Sequence, residues 1–130
     1  MTGLAKKKIG DGKEMAAEVV GILFMSRDYA HRAHLKTSSY AKHMALNEFY
    51  EGIVELADTF AEAAQGKFGK LDIPVVKATG NVDDPIRGVQ KHMEMVEMAA
   101  EGCGDRGLNN VMDDIVTMYM QTVYKLVELD

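Results

Sequence analysis

The sequence predicts an all-α fold, four amphipathic helices in one bundle with a long connection between the second and the third. Three observations predict it. Apolar residues recur at three- and four-residue spacing in four separate stretches. Gly, Pro and Ser/Thr/Asp punctuation separates those stretches. Residues 66–83 alone lack a helical period. A connection of that length lets the chain cross a bundle end to end before its third helix starts.

A chain of 130 residues implies one domain with a real core. Its 47% hydrophobic and 27% charged content is that of an ordinary water-soluble protein. No apolar run is long enough to span a bilayer, and the basic start lacks the apolar segment of a signal peptide. A single cysteine, Cys103, has no internal disulfide partner and suits a reducing cytoplasm. The net charge of −5 argues against broad wrapping by nucleic acid and leaves room for a local basic arm.

Residues 1–12, MTGLAKKKIGDG, read as a mobile basic arm ahead of a single bundle domain, 13–130. Lys6, Lys7, Lys8 and Lys13 are its candidate phosphate contacts, although a short lysine run also describes a plain solvated tail. The first helix covers 13–36, with Met15, Val19, Ile22, Leu23, Ser26, Ala30 and Ala33 on its inner face. His34 falls at the edge of that face and His31 further out. Thr37 or Ser38 caps the next helix, and the short link makes an αα-hairpin. The second helix runs from about Ser39 to Gln65, ended by Gly66, and buries Leu46, Phe49, Ile53, Leu56, Ala57, Phe60 and Ala64. Gly52 in its middle reads either as a close contact with another backbone or as neutral. Asp84-Pro85 opens the third helix, which runs to Glu101 and places His92 and Glu94 on the surface. Asp105 caps the fourth, which runs to about Leu129.

Beside the core face of the second helix runs a narrower stripe, His43, Asn47, Glu51, Asp58 and Glu62. One imidazole, one amide and three carboxylates are ligands that suit iron, manganese or zinc. His43 and Asp58 lie roughly 22 Å apart at ~1.5 Å per residue, so no single ion reaches both from one chain. Two antiparallel copies of this helix across a two-fold axis would set His43 of one against Asp58 and Glu62 of the other.

The run H-x3-N-x10-D-x-x-A-E from His43 to Glu62, preceded by HRAHL at 31–35, resembles the Dps family of mini-ferritins (DNA-binding proteins from starved cells). The chain is also similar to the small ferritin-like proteins of tailed phages. The resemblance implies a ferritin-like four-helix bundle that assembles into a hollow dodecamer through the second helix. It implies a site in which His34, His43 and Asn47 of one subunit meet Asp58 and Glu62 of its partner. There Fe(II) is bound, oxidised and stored, in the cytoplasm of a bacterium or a phage-infected host. Zinc or manganese would suit the same donors. His31 and Glu51 are lesser candidates, and several family members grip DNA with a lysine arm.

The sequence departs from the family pattern in four places. Asn47 stands where the family has Asp, Leu35 where it has Trp, and Ala63 where it has Arg. His34 also precedes His43 by nine residues rather than the usual twelve or so. Glu51, one turn beyond Asn47, is placed to supply the missing carboxylate. These departures motivate a second reading, a ferritin-like structural or DNA-binding assembly protein that has lost ferroxidase activity.

Overall fold

The computed structural model describes residues 2–129, with side chains described from residue 12 onward. It is all-helical: α1 (Thr2–Lys36), α2 (Tyr40–Phe68), α3 (Pro85–Ala99) and α4 (Arg106–Glu128), with no strand among the described residues. Residues 2–12 of the expected arm belong to α1. The side chains of Lys6, Lys7 and Lys8 lie outside the described residues.

Each neighbouring pair of helices is antiparallel, and side-chain contacts at both ends of a pair establish it. His34 on α1 meets His43 on α2, while Gly12 lies under the Phe68 ring. Glu48 on α2 pairs with Lys125 on α4, and Lys67 with Asp105. Ser26 on α1 bonds His92 on α3, and Tyr29 abuts Gly88. α1 touches α2 and α3, and α4 touches the same two, so α1 and α4 stand on one diagonal and α2 and α3 on the other. The order is up, down, down, up. α2 and α3 point the same way, so residues 69–84 must carry the chain back the length of the bundle.

That crossover lies along α1. Gly69 sits beside Lys13, Pro74 crosses Gly21, and the carbonyls of Asn81 and Asp84 accept hydrogen bonds from the Tyr29 hydroxyl at 2.7 and 3.1 Å. Lys13 to Tyr29 spans about 24 Å of helix. Packing explains the glycines here. A Cβ on Gly21 would come within 2.7 Å of the Pro74 carbonyl, and one on Gly88 within 2.0 Å of the Tyr29 hydroxyl oxygen. Burial of that hydroxyl, followed by the charges of Asp84 and Asp83, pushes the Tyr29 pKa up to about 12.

The core is the set of faces that periodicity predicts. Val19, Leu23, Leu46, Phe49, Ile53, Phe60, Val89, Val96, Ile115 and Leu126 are all essentially inaccessible to solvent. Several local expectations are corrected. Ser39, not Thr37 or Ser38, caps α2, because its hydroxyl is the one that reaches the Lys42 N–H, while Thr37 Oγ1 accepts from Ser39 itself. α2 passes through Gly66 and ends at Phe68, with Gly69 taking the positive φ of 87° that the exit requires. α3 ends at Ala99 rather than Glu101, and Gly102 takes φ 82° in the turn. Gly52 faces not another backbone but the side chain of Met118. His92 is not on the surface but fully buried.

Two glycines in helices separate packing from propensity. Gly88→Ala drives a methyl into Tyr29 and should destabilise the fold by about 1–3 kcal/mol. Gly66→Ala meets nothing within 4 Å and should stabilise it by about 0.5–1 kcal/mol. Urea midpoints of the two variants, moving in opposite directions, check both.

Candidate functional site

The α1–α2 hairpin brings two of the candidate ligands face to face. His34, near the end of α1, and His43, one turn into α2, stack with ring centroids 3.6 Å apart and planes inclined by 21°. His34 Nδ1 lies 2.7 Å from the His43 carbonyl oxygen, and His43 Nδ1 lies 2.8 Å from the His34 carbonyl oxygen. A carbonyl only accepts, so each Nδ1 carries a hydrogen and donates it across the hairpin. In the neutral ring that leaves the lone pair on Nε2.

Neither Nε2 has a hydrogen-bond partner among the described residues. The one buried side-chain N or O without a partner there is Tyr119 Oη. Both Nε2 atoms therefore reach solvent, although His34 as a whole is only 7% exposed. An imidazole that gives its Nδ1–H to a backbone carbonyl and holds Nε2 free is oriented as metal-binding imidazoles are.

The surroundings are aromatic and basic. His31 lies 6.1 Å from His34 between centroids and stacks on Tyr50 at 4.2 Å. The Arg27 guanidinium sits 5.6 Å from the Tyr50 ring centroid. Asn47 is engaged within its own helix, where its Oδ1 accepts from the Tyr50 hydroxyl at 2.8 Å. Glu51, Asp58 and Glu62 are exposed along α2. Fifteen residues of helix keep Asp58 roughly 22 Å from His43. Among the described residues no three His, Cys, Asp or Glu side chains gather closely enough to hold a metal ion. One chain thus joins His34 and His43, with His31 nearby, and leaves Asp58 and Glu62 apart from them. Lys13, the described member of the basic group, lies beside Gly69 at the opposite end of α1.

A second histidine centre lies inside the bundle. Ser26 Oγ is 2.8 Å from His92 Nδ1, and His92 Nε2 is 2.7 Å from the Thr79 carbonyl oxygen. Here the carbonyl places the hydrogen on Nε2, so Ser26 donates to Nδ1, the opposite tautomer to His34 and His43. Burial lowers the His92 pKa, and the Thr79 bond offsets part of that. Two sequence signals point to this centre. His92 shares a helical stripe with Val89 and Val96, and Ser26 is a polar residue on an otherwise apolar face.

The family model for DUF5856, a family of unknown function, matches residues 34–126. The chain belongs to this family. The match begins at His34 and covers His43, Asp58, Glu62 and His92. The chain is also similar to an "uncharacterized 14.6 kDa protein in mobD-ri intergenic region" of Enterobacteria phage T4, with 27% identity over 112 residues. That alignment covers 85% of this chain and 87% of the phage protein. No solved structure matches the chain.

The tautomers are directly observable. Imidazole ¹⁵N shifts at about pH 8 should show Nδ1–H for His34 and His43 and Nε2–H for His92, as the carbonyl partners require. Equal tautomer signatures for the three rings would contradict the geometry.

Proposed function

We propose that this member of DUF5856 is a Dps-like mini-ferritin that binds and oxidises Fe(II) at sites shared between two-fold-related copies of α2. One observation carries the reading. The reciprocal Nδ1–H bonds of His34 and His43 hold two Nε2 lone pairs ready at the surface without a protein partner. The exposed carboxylates Asp58 and Glu62 lie on the same helix as His43, beyond the reach of an ion at His43. An antiparallel second copy is the economical way to join the two donor sets. The bundle order, with its lengthwise crossover, supports the ferritin-like form of the fold. The similarity to a phage T4 protein supports a phage-encoded origin.

In this reading the imidazoles and the partner's carboxylates hold Fe(II) with coordination positions left open. As substrate, two Fe(II) would each give up one electron to one peroxide, which takes two protons and leaves as two waters. His34 and His43 stay oriented throughout by the backbone carbonyls. Binding uses the Nε2 lone pairs, which the carbonyl bonds at Nδ1 leave free. Storage of the oxidised iron follows if the copies close into a cage. Zinc or manganese would take the same donors without oxidation.

Asn47 favours a second reading. Its Oδ1 is occupied by the Tyr50 hydroxyl, and an amide adds no negative charge to a ferrous site. A bundle that keeps the hairpin histidines for structure alone would serve as an assembly protein or a DNA-binding scaffold, with Lys6, Lys7, Lys8 and Lys13 as its phosphate contacts.

Aerobic Fe(II) oxidation by metal-free protein separates the readings. The wild type should outpace buffer, and Asp58→Ala/Glu62→Ala and His43→Ala should each lose most of that excess at unchanged assembly size. A wild type no faster than buffer, with intact assembly, would leave the scaffold reading. In that case a salt-dependent gel shift of DNA, lost on deleting residues 1–8, would identify the arm as its contact.

A further inference from the structure

We propose that His92 is a proton-operated latch, whose protonation releases the crossover, residues 69–84, from the α1–α3 side of the bundle. The inference is independent of any metal chemistry at the hairpin.

The neutral latch is a directional chain of hydrogen bonds. Ser26 on α1 donates to His92 Nδ1, and His92 Nε2 donates to the Thr79 carbonyl. His92 and Ser26 are both completely buried. The Tyr29 ring meets the imidazole edge-on at 4.8 Å, and its hydroxyl holds the next stretch of crossover through the Asn81 and Asp84 carbonyls. Two side chains, His92 and Tyr29, therefore tie residues 79–84 to α3 and α1. Gly80, at φ 99°, lies flat against Gly88 and the Tyr29 ring.

The site has no provision for a cation. From α1 the titratable group facing His92 is Tyr29, and from α4 it is Tyr119, which acts through Ser26. The crossover presents only the Thr79 carbonyl. α2 lies diagonally across the bundle from α3. The nearest carboxylates on this side, Asp83 and Asp84, act on Tyr29 and not on His92. Burial keeps the Tyr119 hydroxyl protonated.

A second proton on the imidazole would go to Nδ1, which now accepts from Ser26. The Ser26 hydrogen would have to turn away, toward the Tyr119 hydroxyl oxygen, leaving Ser26 Oγ to accept from the new Nδ1–H. The closed site would then hold a buried charge with no counter-ion, which is costly. Helices close the site on the α1 and α4 sides. On the remaining side lies the crossover, where Gly80 and Asn81 are exposed and Thr79 is half-buried. Lifting it wets the imidazole at the loss of few bonds, and uncovers Tyr29 and the α1 surface beneath Pro74 and Val76.

The direction follows from linkage. The free imidazole titrates near 6.5 and the buried one lower. The open state therefore binds more protons, so closure is complete above 6.5 and is lost as pH falls below it.

Hydrogen–deuterium exchange of the whole protein, corrected for intrinsic rates, tests the latch between about pH 7.5 and pH 5.5. Protection of crossover and early α3 amides should fall several-fold, up to about tenfold, while the centre of α2 stays protected. His92→Gln, which offers an amide donor to Thr79 and does not titrate, should show no such fall. Crossover protection that is independent of pH in the wild type overturns the proposal. So does an equal fall in His92→Gln. If that variant does not fold, the wild type still decides by NMR titration. The Gly80 amide must shift with the midpoint of the His92 ring, and a different midpoint, or none, overturns the latch.

Discussion

The lengthwise crossover is the constraint on which the rest of the structure depends. α2 and α3 run in the same direction, so the chain must return across the whole bundle between them. An extended strap has backbone polar groups and no ladder to satisfy them. It is held by side chains reaching out of the helices: Tyr29 to Asn81 and Asp84, His92 to Thr79, and Gln65 to the Leu71 N–H. Glycines let it lie close, Gly21 beneath Pro74 and Gly88 beneath the Tyr29 hydroxyl. The buried polar atoms of Tyr29 and His92 serve this one segment. They also make the α1–α3 side the most conditional part of the fold, because a neutral imidazole is one of its fasteners.

The α1–α2 hairpin solves a different problem with the same residue type. Its link is so short that the last turn of α1 and the first turn of α2 must touch. The His34 carbonyl, in the last turn of α1, is one that a helix end leaves without an intrahelical donor, while the His43 carbonyl, in the first turn of α2, takes its bond beside its helical one. The two histidines satisfy each other's backbone, and their stacked rings close the end of the hairpin. The outward nitrogens are a by-product of that arrangement, and they are the feature from which a metal function can be built.

Charge shapes the outer surface more lightly. The Arg32–Asp28 and Lys125–Glu48 pairs are largely solvated and contribute little. Lys67–Asp105 does more, since Asp105 also caps α4 and its carboxyl is held below the usual range, first by Lys67 and then by the Leu108 N–H. It joins the exit of α2 to the start of α4, at the bundle end where the crossover begins.

Helix number, the inner face of each helix, the N-caps Asp84 and Asp105 and the long second connection were legible in the sequence. They depend on local periodicity and on capping chemistry, which act within a few residues. The pairing of His34 with His43 was foreshadowed by the short link. What tertiary structure alone decided was the fate of groups whose partners lie far along the chain. His92 read as a surface residue because its partners are Ser26, 66 residues away, and a carbonyl in an aperiodic strap. α2 outran Gly66 because Phe68 packs over Gly12, a gain invisible to a local stop signal. The stripe from His43 to Glu62 was visible at once, yet a rigid helix separates its ends, and one chain cannot bring them together. The sequence by itself determined a four-helix bundle and its candidate donors, because periodicity and caps are local. Tertiary structure decided which donors meet and which polar groups are buried, because both depend on contacts across the bundle.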